Sequence, residues 1–150
     1  MASIWTSETT IRKRDSLPGD MQIPAAVIGG GLTGILTAYF LQQAGIRTAV
    51  LEADRIGGGQ TKNTTAKITS QHSLIYDHLI QTFGAKSAAD YALANETAIS
   101  DYERLIQEKN IACDFVKCPA CLYSKSEKMM LQQEAAAAAA VGIQASFATD

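Results

Sequence analysis

Residues 23–52 read IPAAVIGGGLTGILTAYFLQQAGIRTAVLE, two apolar runs on either side of a glycine cluster and an amphipathic segment. Ile23 to Gly29 is a short apolar run that ends on glycines, as a buried strand does. Leu32 to Ala44 reads as a helix, because Leu32, Ile35, Leu36, Tyr39 and Phe40 recur at three- and four-residue spacing. Gly45 stands where a helix closes with a left-handed residue. Thr48 to Leu51 reads as a second strand. Strand, helix and strand together have the length of one βαβ unit, roughly 30 residues.

Between the first strand and the helix, Gly29-Gly30-Gly31-Leu32-Thr33-Gly34 fits the pattern G-x-G-x-x-G. Gly29 permits the tight turn out of the strand. Gly31 carries no side chain, so a pyrophosphate can approach the backbone. Gly34 lets helix and strand pack closely, and the small Ala38 extends that packing. The helix N-terminus then presents free N–H groups and the positive end of its dipole to an anion. Glu52 ends the second strand, where a carboxylate accepts hydrogen bonds from a ribose diol. The same charge repels a 2′-phosphate. The motif therefore predicts a dinucleotide site, and Glu52 fits the adenosine of FAD and of NAD equally.

Residues 1–22 are polar with a turn at Pro18-Gly19 and read as an N-terminal arm. Residues 54–69 lack a period and read as a loop holding Gly57-Gly58-Gly59. Leu74 to Phe83 reads as a short helix and Lys86 to Lys109 as a long one, striped by Ala88, Tyr91, Ala92, Ala98, Ile99, Tyr102, Leu105 and Ile106. Phe115-Val116 and Leu122-Tyr123 read as strand pieces. Met129 to Ala140 is a last helix, ended by Gly142, whose six consecutive alanines are accounted for by helix propensity alone.

Composition bounds the function. The chain has 150 residues, 47% of them hydrophobic and 19% charged, as in a soluble globular protein. A net charge of −2 points away from nucleic acid or an anionic membrane as partner. No apolar stretch is long enough for a membrane span. Arg12, Lys13 and Arg14 are not followed by an apolar core, so a secretory signal is not expected. Three cysteines, an odd number, suit a reducing cytoplasm. Cys113, Cys118 and Cys121 are spaced as three ligands of a [2Fe–2S] site but lack a fourth, and are expected to be free thiols in or near a core. His72 and His78, six apart, make a poor metal pair, and His72 reads as a capping or surface residue. No metal site and no catalytic residue is assigned.

VIGGGLTGILTAYFLQQAGIRTAVLEADRIGGG resembles the N-terminal FAD fingerprint of the D-amino-acid oxidase and glycine oxidase superfamily. TKNTTAKITSQHSLIYDHLIQTFG, followed by CDF and LYS, resembles a bacterial branch that carries a C-terminal Rieske iron–sulfur domain. The resemblance implies an α/β fold: a Rossmann-like FAD-binding βαβ unit with its flavin loop over 23–70, then helices and the start of a substrate domain over 71–150. It implies a flavin-dependent oxidoreductase that takes a hydride equivalent from a small amine or amino-acid-like donor. Glu52 would hold the adenosine ribose. Thr61, Thr64 and Thr65 would line the pyrophosphate, ribityl chain or ring edge, and Lys67 would reach the flavin ring. Family members run to several hundred residues, so this chain is expected to hold the N-terminal part only and to be inactive and marginally stable alone. An NAD-binding module and a non-catalytic fragment are the alternative readings.

Overall fold

The computed structural model of the chain describes residues 11–148. The chain divides into two compact units, the first ending at Lys67 and the second beginning at Ile68. Of the N-terminal arm, residues 1–10 lie outside the described residues.

The first unit is α/β. Strands β1 (Ala25–Ile28) and β2 (Thr48–Leu51) pair in parallel, with Ala25 opposite Thr48 and Ile28 opposite Leu51. The N–H of Gly29 donates to the Leu51 carbonyl at 2.7 Å and extends the ladder by one bond. Helix α1 (Leu32–Gln43) makes the connection between them. Gly29, at φ +99°, turns the chain from strand to helix in a conformation that side chains rarely adopt. A Cβ on Gly34 would run into the Gly29 carbonyl oxygen and stand 3.4 Å from the Val27 side chain. The first turn of α1 therefore rests directly on the end of β1, and Ala38, one turn on, is buried.

The buried face of α1 differs from the stripe read in the sequence. Leu36 and Tyr39 are half-buried, but Leu32, Ile35 and Phe40 are exposed. The reason is close packing: the small residue Gly34 meets the end of β1 and the small Ala38 is the buried residue of the helix, so the larger side chains are not the ones most enclosed.

The second unit is helical. Helix α2 (Tyr76–Glu108) contains Gly84 at φ 82° and ψ 160°, so it is two helical stretches meeting at a kink, as the break between Phe83 and Lys86 suggests. Helix α3 (Lys128–Ala140) packs on it. Tyr76, Ala88, Ala92, Ala137, Ala138 and Val141 form the buried cluster. Helix propensity alone is thus an incomplete account of the alanine run. Ala137 and Ala138 are buried in one cluster with Ala88 and Ala92, and side chains this small let two helices approach closely.

Helices α1, α2 and α3 close in the same way at their C-terminal ends. The residue after the cap is left-handed, at Gly45, Asn110 and Gly142. The next N–H reaches back to the carbonyl five residues before it: Ile46 to Leu41 at 2.9 Å, Ile111 to Ile106 at 3.0 Å and Ile143 to Ala138 at 3.0 Å.

Two expectations are corrected. Phe115-Val116 and Leu122-Tyr123 are not strands: among the described residues, those between α2 and α3 form no regular element. A strand needs a neighbour to satisfy its N–H and C=O groups, and this segment pairs with none. The three cysteines it carries are all exposed, not in or near a core.

At the N-terminus of α2, no side chain from its own cap position takes the orphan N–H groups. Glu134 of α3 does so. Its two carboxylate oxygens accept from the Tyr76 N–H at 2.8 Å and the Asp77 N–H at 2.9 Å, and the side chain is 5% exposed. The Tyr76 hydroxyl donates to the Ser70 carbonyl at 2.7 Å and fixes the approach to the helix. Glu134→Ala strands both N–H groups and is expected to destabilise the second unit by about 1–3 kcal/mol. Glu134→Gln keeps one acceptor and should lose less, and urea unfolding of the three proteins ranks them.

Candidate functional site

The loop between β1 and α1 and the loop after β2 enclose an open cleft of about 480 Å³ in the first unit. That volume lies within the range of small-molecule sites, about 300–1,000 Å³. Of the residues singled out in the sequence, Gly29, Gly31, Leu32, Thr33 and Gly34 line the cleft from the glycine-rich side. Glu52, Thr61 and Thr64 line it from the other. Gly30, Thr65 and Lys67 do not line it.

Gly30 is buried, and its environment explains why a glycine stands there. A Cβ would collide with the Ile56 side chain and lie 3.1 Å from the Glu52 Cβ. The Gly30 carbonyl accepts from the Gly57 N–H at 2.8 Å, so the two glycine-rich loops are bonded to each other. Gly31 is different. A Cβ there would meet only the Thr61 hydroxyl, at 3.5 Å, so the space beside Gly31 opens onto the cleft.

Glu52 is held at both oxygens. Oε2 accepts from the Gly30 N–H at 2.7 Å, and Oε1 accepts from the Asp54 N–H at 3.0 Å. These bonds, that from Gly30 first, hold its carboxyl below the usual carboxylate range. Each oxygen keeps a lone pair for a further donor. Across the cleft, the N–H of Leu32 at the start of α1 donates to the Thr61 hydroxyl at 3.0 Å. Thr61 belongs to a single 3-10 turn, Gln60–Asn63, in the segment read from sequence as loop. The Thr64 hydroxyl donates to the Thr61 carbonyl at 3.2 Å and closes that turn. The Thr61–Leu32 bond was not legible in the sequence, because it joins residues 29 positions apart.

Thr65 and Lys67 belong to the first unit, and His72 and His78 to the second. His72 is exposed, with Nδ1 hydrogen-bonded to the Tyr91 hydroxyl at 2.8 Å. Among the described residues, no helix is long and apolar enough to cross a membrane.

With this geometry in place, comparison with known proteins identifies the family. The family described as "FAD dependent oxidoreductase" matches residues 25–149. The chain belongs to it. A relative from Bacillus subtilis (strain 168), YhfW, whose name describes a Rieske 2Fe-2S iron-sulfur protein, is 38% identical over 123 residues. That match covers 82% of this chain and 24% of the relative. Gamma-glutamylputrescine oxidoreductase of Escherichia coli (strain K12) is 32% identical over 74 residues, 49% of this chain and 17% of the relative. The chain thus spans about a quarter or less of the relatives it matches. No solved structure matches significantly.

The bonds to Glu52 set a pH dependence. A carboxyl whose value is lowered by folding contributes stability that is complete above the ordinary glutamate value of 4.5 and lost as pH falls through the lower folded value. Glutamine has one oxygen in place of two, so Glu52→Gln keeps one backbone bond and turns an amide toward the other N–H. The variant is expected to melt below wild type at neutral pH, and the two melting temperatures should converge in acid. A gap that persists unchanged in acid would assign the difference to something other than this carboxylate.

Proposed function

We propose that the first unit holds the adenosine diphosphate half of FAD in the cleft over its glycine-rich loop, as the Rossmann-like nucleotide-binding part of an oxidoreductase acting on an amine or amino-acid-like donor. The observation that carries this reading is the convergence, in one cleft of a chain from a FAD-dependent family, of the α1 N-terminus, the open side of Gly31 and the carboxylate of Glu52. The N–H groups and dipole of α1 suit a pyrophosphate. Gly31 gives the phosphates access to the backbone. The spare lone pairs of Glu52 suit the hydroxyls of a ribose, and its two backbone bonds keep it aimed. Thr61 and Thr64 stand beside the phosphates, while Thr65 and Lys67 would reach the ribityl chain and the flavin ring from further along the same loop. When bound, the flavin supplies the acceptor for a hydride equivalent.

The amine-type donor is supported by the Escherichia coli relative, which is named for oxidoreduction of gamma-glutamylputrescine. An iron–sulfur partner domain in the intact protein is supported by the Rieske name of the Bacillus subtilis relative. On this reading the second unit opens the substrate domain, and the protein works in the cytoplasm. The NAD-binding alternative loses support because the family is one of FAD-dependent enzymes.

Gly31→Val tests the reading. Gly31 has φ −78° and ψ −175°, which valine adopts readily, and no neighbour crowds the first added carbon. The variant is expected to keep its melting transition in the intact protein and to purify without bound flavin, as read by visible absorbance. A folded variant with the flavin content of wild type overturns the assignment of the cleft.

A further inference from the structure

The dinucleotide cleft has a charge problem. A pyrophosphate carries negative charge on both phosphates, and Glu52 adds another. Yet among the described residues no lysine or arginine lines the cleft. A helix N-terminus acts as only about half a unit of positive charge.

The N-terminal arm passes close by. A Cβ on Gly57 would stand 3.4 Å from Ile11 Cδ1, so the side chain of Ile11 lies against Gly57. Gly57 lines the cleft, and its N–H is bonded to Gly30 of the opposite loop. Ile11 is 42% exposed, the lowest value among the large apolar residues of the arm that are described: Leu17 is 51% and Met21 55% exposed. The far end of the arm is tied as well, by Arg47 Nη2 donating to the Gln22 carbonyl at 3.1 Å. Immediately after Ile11 come Arg12, Lys13 and Arg14. Three residues span at most about 11 Å, so all three cations start near the rim at Gly57. They are exposed, and among the described residues none of them forms an ion pair.

We infer that Arg12, Lys13 and Arg14 are the cationic wall of the dinucleotide cleft, brought to it by Ile11 on Gly57, and that they bind the pyrophosphate of the cofactor. The inference rests on the dinucleotide reading of the cleft. It gives the arm a binding role that neither the glycine motif nor the family match, which starts at residue 25, assigns to it. Long cationic side chains on this exposed strap can meet the phosphates once these are seated, and Ile11 limits how far the strap can wander.

The test uses the intact protein stripped of its cofactor, with ADP and adenosine as probes in calorimetric titrations. ADP carries the pyrophosphate and adenosine does not. The triple variant Arg12→Ser, Lys13→Ser, Arg14→Ser is expected to bind ADP about tenfold more weakly, the loss of one charge-assisted contact. Its dependence on salt should be shallower, and its affinity for adenosine should equal that of wild type. Ile11→Ser, which keeps every cation but removes the anchor, should show the same selective loss, and Ile11→Leu should restore binding. A triple variant or an Ile11→Ser variant that binds ADP as tightly as wild type overturns the proposal. So does an equal loss for ADP and adenosine, which would make the arm a structural brace. Wild-type protein that binds neither probe removes the dinucleotide cleft itself, a failure distinct from the others, and the proposal falls with it.

Discussion

The carboxylate of Glu52 takes the backbone N–H of Gly30 on one oxygen and that of Asp54 on the other, and the first unit is organised around this clasp. It ties the end of β2 to the glycine-rich turn that leaves β1. It acts together with the short ladder of two four-residue strands and with the Gly57–Gly30 and Leu32–Thr61 bonds to set the glycine-rich turn against the loop after β2. With it, Gly30 is buried under Ile56, Gly57 bonds back to Gly30, and the cleft between the loops has defined walls. The clasp constrains the residue types around it. Gly30 has no room for a side chain, and the acceptor must reach two N–H groups at once.

The second unit solves a similar problem in the same chemical terms. Glu134, from a helix 57 residues further along the chain than Asp77, caps the start of α2 with both oxygens. In each unit a carboxylate accepts two backbone N–H bonds, at least one of them from a residue far away along the chain. Charge-assisted bonds of this kind are stronger than neutral ones. They suit small cores such as these, where alanine and glycine supply the close contacts and little large apolar surface is buried.

How far the sequence could be read follows from distance along the chain. The glycine motif, β2, the Gly84 break and two of the three helix closures are local patterns, and the structure has them where the residues indicate. The contact of Gly34 with the Gly29 carbonyl is also local, and its glycine could be explained in advance. Glu134 could not, because its partners lie 57 and 58 residues away and nothing nearby marks it except a charge beside a run of alanines. The supposed strands at Phe115-Val116 and Leu122-Tyr123 have the right composition, but pairing is a non-local property and they have no partner. Ile11 on Gly57 is a contact of the same non-local kind, and only the folded chain brings it into view.

The bond from the Leu32 N–H to the Thr61 hydroxyl bears on how a ligand would be received at the start of α1. That donor is satisfied by the protein's own chain. A phosphate oxygen arriving there would exchange one acceptor for another, so the number of hydrogen bonds at that atom stays constant. Such an exchange adds less to affinity than filling an empty position would, but it discriminates. An arriving group must outcompete a hydroxyl already at 3.0 Å, which an anion can do and a neutral acceptor does poorly. The displaced hydroxyl then has a proton to offer the newcomer, so the residue that guards the helix end becomes one of its donors.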